Sequence, residues 1–406
     1  MEKARDKITK ITEMNKPIST GAILPIGENE VYNVYNIPIE ILKPNPQNDR
    51  IASKIREIES TNEEFDINNQ KDVNDIFNLI WDEHLKDNKN TMKDIAKKGQ
   101  LIHGVVTKDG LIIDGNRRAT ILKKLYEGEA ETYKKDISSF KYFKAVVLKD
   151  ELSKSNREIR ALETKIQIGS DEKVGYDPIN IYIKIENLIK VGYNEDQIAN
   201  FMNESVKKIK EKREVFKRMI SYLDFHNSED RFSLLDNLED QFINVNKIFS
   251  KIENNDYAVD WEILETDKVF FKEATFEILR SKPEGKNFRT NFLGKPKKPN
   301  GIFAIKEAWD TFLRNHKEIM EKHTFEKESD WKARKEEFKG NLRRVRKAFG
   351  DDLEGLNIND RIDELYDKAK RLENLINYHD EIKKDKRDVL KETEKVIRTL
   401  AESFTG

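Results

Sequence analysis

Cysteine is absent from this 406-residue sequence, and so is any run of about 18 consecutive apolar residues. The first absence excludes disulfides, thiolate zinc sites and cysteine nucleophiles. The second gives no candidate for a membrane-spanning helix, and the charged segment Met1–Lys10 lacks the apolar stretch of a secretory signal. These absences favour a cytoplasmic protein that has no membrane partner.

Net charge is almost absent as well. The 75 Lys and Arg residues balance 76 Asp and Glu residues, which leaves a formal net charge of -1. Any attraction to nucleic acid must therefore come from local clustering of cations. The six histidines form no His-x-x-x-His pair, which argues against a structural metal site.

Apolar patterning divides the chain into an α+β N-terminal part and an all-α remainder. β-Branched and aromatic residues predict strands over Val31–Ile39 and Phe140–Leu148, and two apolar runs around Asp109-Gly110 predict a β-hairpin. From Ser155 onward the pattern is helical. The predicted organisation is a flexible tail at 1–30, an α+β domain at 31–168, a helix-turn-helix domain at 169–225, a helical region at 226–290 and a C-terminal helical domain at 291–406.

The segment Asp114-Gly115-Asn116-Arg117-Arg118 joins the hairpin to a predicted helix. A glycine after a strand lets the backbone approach a ligand, and a helix N-terminus with two arginines attracts phosphate. The segment thus predicts a phosphate-binding loop. An alternative stays open, in which Arg117 and Arg118 pair with carboxylates inside the fold.

The order of these motifs resembles the ParB/sulfiredoxin fold. The segment Pro44-Asn45-Pro46-Gln47-Asn48-Asp49-Arg50 is similar to the Asn-Pro-x-Gln-x-Arg box of this family. It precedes a helix, a hairpin and the Gly-x-Arg-Arg loop at Gly115. In ParB partition proteins this loop holds a nucleotide, CTP with magnesium. The resemblance implies nucleotide contacts for Gly115, Asn116, Arg117, Arg118, Gln167 and Arg50. Sulfiredoxin activity needs a cysteine and is excluded.

The third box of the family, Glu-Asn-x-Gln-Arg, is only half preserved, as Glu163-Thr164-Lys165-Ile166-Gln167. Because its Asn is missing, CTP is only the first candidate nucleotide and ATP is an alternative. Mg²⁺ is implied only through Glu163. An insertion at 57–92 relative to shorter family members either covers a pocket or extends the surface.

A helix-turn-helix is predicted after this box. Gly192 ends one helix, Asn194 caps the next, Asn203 takes the turn and Ser205 caps a longer helix. Residues 203–218 carry seven cations against three carboxylates. The predicted contacts with double-stranded DNA, to phosphate more than to bases, are Ser205, Lys207, Lys208, Lys210, Lys212 and Arg213. The alternatives are a solvated helix face with Glu-Lys pairs and a motif that only packs.

The C-terminal third is predicted to be helical, with a linker at Asn291–Asn300. Aromatic residues in 226–290 indicate a core, or alternatively a stacking platform for single strands. Apolar spacing from Ile362 to Leu400 indicates a coiled coil or helical hairpin that forms a homodimer, and the cluster Arg343–Lys347 either contacts DNA or is solvated.

Two functions follow from the sequence. The first is a ParB-like, nucleotide-binding DNA protein that acts in partition, regulation or mobile-element biology. The second is an enzyme on the same fold, a nucleotide hydrolase, phosphotransferase or nuclease in a phage-defence or mobile-element setting, for which Asp114 and Glu163 are the candidate catalytic carboxylates.

Overall fold

The computed structural model describes residues 4–25, 30–48, 51–61, 64–150, 155–169, 178–297 and 299–354, together with Lys370 and Lys395. Contacts within the chain divide it into two compact units, Met1–Phe242 and Ile243–Gly406. The sequence-based boundary near residue 291 therefore lies inside unit 2. Each unit has its own apolar core.

Unit 1 is built on a five-stranded mixed sheet in the order β1-β2-β5-β3-β4. The strands are β1 (Ser19–Ile23), β2 (Val31–Pro38), β3 (Gly104–Val106), β4 (Ile112–Asp114) and β5 (Tyr142–Val147). The pairs β1–β2, β2–β5 and β3–β4 are antiparallel, and β3–β5 is parallel. The α+β character predicted for this part of the chain is confirmed.

Two of the strands and the hairpin lie where the sequence predicts them. Alternate residues of β2 are buried, including Val34 and Ile37, as expected for a strand with one face on the core. The hairpin turns at Gly110, whose φ of 85° favours glycine and whose N–H donates to the Thr107 carbonyl at 3.0 Å.

Nine helices complete the described part of unit 1, apart from short 3₁₀ turns. They are α1 (Ala4–Met14), α2 (Ala52–Glu59), α3 (Gln70–Asp82), α4 (Leu85–Lys98), α5 (Asn116–Tyr126), α6 (Asn156–Gly169), α7 (Pro178–Lys190), α8 (Glu195–Met202) and α9 (Val206–Phe225). A further helix, α10 (Glu239–Glu253), contains the boundary between the units.

The predicted flexible tail at 1–30 differs from the structure, since α1 and β1 occupy most of its described residues. Ile8 is fully buried in the same core cluster as Ile37 and Phe143, which anchors α1 against the sheet. Arg5 also forms an ion pair with Asp109 at 3.0 Å. The segment has a polar composition because few apolar contacts, together with ion pairs of Arg5 and Lys7, hold α1 in place.

Unit 2 is helical. Its helices after α10 are α11 (Glu265–Arg280), α12 (Lys306–Lys322), α13 (Glu328–Ala333) and α14 (Lys335–Glu354). The predicted linker at 291–300 begins inside a π-helix, Phe288–Leu293, whose Phe292 and Leu293 are fully buried. The aromatic side chains of 226–290 are largely buried, as predicted for a core, whereas the coiled-coil positions Ile362 to Leu400 lie outside the described residues.

Candidate functional site

The loop between β4 and α5 is shaped by two glycines that face one aromatic ring. Gly115 directly precedes α5 with a φ of 90°, and a Cβ built there would lie 2.8 Å from Cζ of Phe143. A Cβ on Gly104 of β3 would lie 2.3 Å from the same atom. Only glycine allows both backbones to cross this ring, and Gly115 offers no side chain to cap α5.

Asn116 lies in the interior, with 3% of its surface exposed. Its Nδ2 donates to the Ile112 carbonyl at 3.1 Å, and its Oδ1 accepts from the backbone N–H of Asn45 at 2.9 Å. Both polar ends of this side chain are therefore used to join the 44–48 loop to the start of β4.

Arg117 extends toward α4 rather than along the axis of its own helix. Its Nε donates to Oδ1 of Asn88 at 2.6 Å, and its Nη2 donates to Oγ1 of Thr91 at 2.8 Å. Asn88 is itself buried and donates to three carbonyls at the end of α3. The 57–92 insertion thus reaches the candidate site, because it supplies both of these partners of Arg117.

Arg118 forms an ion pair with Asp114, 2.7 Å from Nη2 to Oδ2, and the same nitrogen lies 3.3 Å from the His103 carbonyl. Its Nε is buried without a hydrogen-bond partner. Both side chains of the pair keep about a fifth of their surface exposed, 19% and 23%. Arg118 therefore pairs with a carboxylate, as the alternative to a phosphate-binding loop expects. The pair is partly exposed to solvent.

His103 lies beside this ion pair. Burial lowers the pKa of its imidazole, the positive charge of Arg118 lowers that pKa further, and the negative charge of Asp114 opposes both effects. The neutral ring is therefore the favoured form near the loop.

The third-box region contains a residue that sequence reasoning missed. Arg160 of α6 is 8% exposed, and its guanidinium donates to the Gln47 carbonyl at 3.1 Å and to the Gln47 side-chain oxygen. Glu163, one turn further on, is 2% exposed. Arg50 and the side chain of Gln167 lie outside the described residues. The position of Arg160 three residues before Glu163 was the available signal, since a helix places both on one face.

The turn between α8 and α9 has the geometry that its sequence predicts. Asn194 caps α8 in a reciprocal capping box with Gln197, Asn203 has a φ of 51°, and the Ser205 side chain accepts from the Lys208 N–H at 3.3 Å. Ile198 and Ile209 are fully buried in one cluster between the two helices. This packing fixes the orientation of the start of α9 relative to α8.

The five cations that the sequence assigns to DNA in this segment fall into two groups. Lys212 pairs with Glu204 at 2.6 Å, and Arg213 pairs with Glu186 at 3.0 Å and also with Glu195. In contrast, Lys207 is 85% exposed and 4.0 Å from Glu211, while Lys208 and Lys210 are exposed and have no ion pair within the described ranges. Lys207, Lys208 and Lys210 are therefore exposed to a ligand. Lys212 and Arg213 instead form ion pairs within unit 1.

No group of three His, Asp or Glu side chains in the described part of the chain is arranged to hold a metal ion. Within the same residues, no helix is long and apolar enough to cross a membrane. Among protein-family models, curated proteins and solved structures, none matches the chain.

Proposed function

We propose that this chain is a ParB-like protein that binds double-stranded DNA through the start of α9 and a nucleotide beside Gly115. The observation that carries the DNA role is the placement of Lys208 and Lys210, exposed and without ion pairs in the described residues, directly after a capped turn. Double-stranded DNA selects for such localised charge, and a helix start is the part of a helix-turn-helix that faces the groove.

The proposed contacts are to phosphates and do not read bases. Lysine is a flexible point charge, whereas base recognition relies on bidentate groups such as those of Arg, Asn and Gln. Lys212 and Arg213, which the sequence also assigns to DNA, are held by carboxylates of unit 1. The DNA surface that we propose therefore consists of Lys207, Lys208 and Lys210, with Ser205 serving as the helix cap.

Fluorescence anisotropy with a duplex of arbitrary sequence tests this proposal, measured over about 50 to 200 mM salt. We expect binding at low salt that weakens steeply as salt increases. The double substitution Lys208→Gln, Lys210→Gln is expected to reduce the affinity about tenfold and the salt slope by about 2. The matched control is Lys134→Gln, Lys135→Gln, which removes two exposed lysines elsewhere in unit 1. Absence of binding at low salt, or equal binding by both variants, would refute the proposal.

The nucleotide role is supported by the surroundings of Arg118, whose side chain is 19% exposed. Gly115 keeps the start of α5 free of a side chain, and the guanidinium beside it has one buried N–H without an acceptor. We propose that a nucleotide phosphate binds at this helix start and competes with Asp114 for Arg118. CTP and ATP, with Mg²⁺ as their counterion, are the candidate ligands.

Calorimetric titration of the four ribonucleoside triphosphates with Mg²⁺ tests the nucleotide role. Arg118→Ala is expected to weaken binding by at least about tenfold, because it removes a charge-assisted hydrogen bond to phosphate. Arg231→Ala is the control, since Arg231 is exposed and has no ion pair in the described residues. Equal affinity of wild type, Arg118→Ala and the control would contradict the proposed phosphate contact.

The enzymatic alternative has less support. Phosphoryl transfer requires a carboxylate that is free to hold a metal or a nucleophile, whereas Asp114 is paired with Arg118 and Glu163 is 2% exposed. Turnover of any of the four triphosphates, abolished by Asp114→Asn, would favour the enzyme. A homodimer formed through residues beyond 355 stays a prediction, which sedimentation of the full chain would test.

A further inference from the structure

Two segments of unit 2 carry many cations and no carboxylate at all. Residues 285–305 contain five Lys and Arg residues, and residues 339–347 contain five more, without a single Asp or Glu in either segment. The formal net charge of the whole chain is -1, so these two segments are a marked local excess of positive charge in unit 2.

The fold brings these segments together. Nη1 of Arg346 in α14 donates to the Asn300 carbonyl at 2.7 Å, and Nζ of Lys339, two turns earlier, lies 3.5 Å from a carboxylate oxygen of Glu284. Residues 339, 343, 346 and 347 follow one stripe of α14 at helical spacing. Arg343 is therefore on the stripe that borders the 284–300 segment.

The loop that follows the π-helix is clamped at its base. A Cβ on Gly294 would lie 2.1 Å from the backbone nitrogen of Gly301, so the two ends of the loop cross in direct contact. The Lys295 N–H donates to Oδ1 of Asn300 at 2.9 Å across the same opening. Pro296 and Pro299 restrict the backbone between these ends. The side chains of Lys295 and Lys297 are exposed close to this clamped base.

Seven cations on these segments form what we call the basic surface. None of them has an ion pair in the part of unit 2 that the structure describes, since the nearby Glu284 is paired with Lys339. All seven are exposed, and they are Lys286, Arg289, Lys295, Lys297, Arg343, Arg344 and Lys347. Unpaired like charges repel one another, so this arrangement costs stability unless an anionic partner compensates it.

We propose that the basic surface binds the phosphate backbone of nucleic acid, independently of the lysines on α9. A cluster of exposed cations without ion pairs attracts the phosphate backbone of nucleic acid and releases its counterions on binding. An anionic membrane fits less well, because membrane surfaces also select exposed apolar side chains. The large apolar side chains exposed in the described part of unit 2, Leu264 and Val269, lie outside the basic surface.

The test uses the full chain, duplex DNA and fluorescence anisotropy. The variant Lys295→Gln, Lys297→Gln, Arg343→Gln removes three charges from the basic surface. The control Lys322→Gln, Lys332→Gln, Arg314→Gln removes the same residue types from exposed positions elsewhere in unit 2. We expect the variant to lose about tenfold or more in affinity and about 2 to 3 in salt slope, and the control to bind like wild type.

The same triple substitution in a Lys208→Gln, Lys210→Gln background separates this inference from the proposed function. If both surfaces bind DNA independently, each set of substitutions lowers the affinity alone and the two losses add in the combined variant. If the α9 proposal fails, Lys208→Gln, Lys210→Gln alone binds like wild type while the triple variant still loses affinity. In a second measurement, DNA is expected to protect Lys295 and Lys297, but not Lys322 and Lys332, from acylation detected by mass spectrometry.

Two outcomes would overturn the inference. The first is equal DNA affinity and salt slope of the variant and its control, with no protection of Lys295 or Lys297. The second is binding to vesicles of anionic phospholipid that is lost in the variant while its DNA binding is unchanged, which would assign the basic surface to a membrane.

Discussion

The side chain of Asn116 accepts a hydrogen bond from the backbone N–H of Asn45, over 2.9 Å, across 71 positions of sequence. Its amide nitrogen at the same time donates to the Ile112 carbonyl, at the start of the strand that precedes the candidate loop. This one residue therefore fixes the 44–48 loop to the helix that begins after Gly115. Its burial favours a structural role over direct contact with a ligand.

Asn116→Ala is expected to destabilise the protein by roughly 2 to 3 kcal/mol, because it leaves a buried N–H and a buried carbonyl without partners. Urea unfolding followed by circular dichroism measures the change. The control is Asn78→Ala, which removes an exposed amide whose partner is Lys124. A loss no greater than that of the control would show that Asn116 does not join the two segments.

The sequence predicts interactions between neighbouring residues, but it does not predict contacts between residues that are far apart in the chain. The caps Asn194 and Ser205 and the turn residue Asn203 act within a few positions of themselves, so their chemistry predicted the α8–α9 turn. The partners of Arg117 lie 26 and 29 positions away on α4, and no local pattern predicts them. The strand β1 was also missed, because Ser19–Ile23 has neither alternation nor a buried core face.

Gly115→Ala is expected to destabilise unit 1 by roughly 2 to 4 kcal/mol. About 1 kcal/mol follows from the positive φ, and the rest from displacing Phe143, whose Cζ would lie 2.8 Å from the new Cβ. Gly192→Ala is the matched control, because its φ is also 90° but a Cβ there meets nothing within 4 Å. Thermal unfolding of both variants measures the loss of stability. Equal losses would show that the clash with Phe143 does not contribute.

The lowered pKa of His103 predicts how acid changes stability. The unfolded chain binds a proton on this histidine near pH 6.5, whereas the folded protein resists protonation until a lower pH. This contribution to the free energy of unfolding is therefore complete above about pH 6.5 and is lost as the pH falls through the folded pKa.

The comparison of wild type with His103→Gln isolates the effect of this histidine. Urea unfolding of both proteins at about pH 7.5 and pH 5.5 should show a larger loss of stability for wild type on acidification. Other titrating groups contribute equally to both proteins and cancel in the comparison. An identical loss in the two proteins would mean that His103 titrates alike in the folded and unfolded chains.

Arg213 provides a test between an internal and a DNA-binding role. Its guanidinium joins Glu186 of α7 and Glu195 of α8 to α9, and each of the three side chains is less than a third exposed. We expect Arg213→Ala to destabilise the protein by about 1 to 2 kcal/mol. Because it removes no phosphate contact, the salt slope of DNA binding should stay that of wild type, even if the two freed carboxylates lower the affinity slightly. Urea unfolding and anisotropy over a salt range measure both quantities. A slope reduced by about 1 at unchanged stability would instead place Arg213 on the DNA.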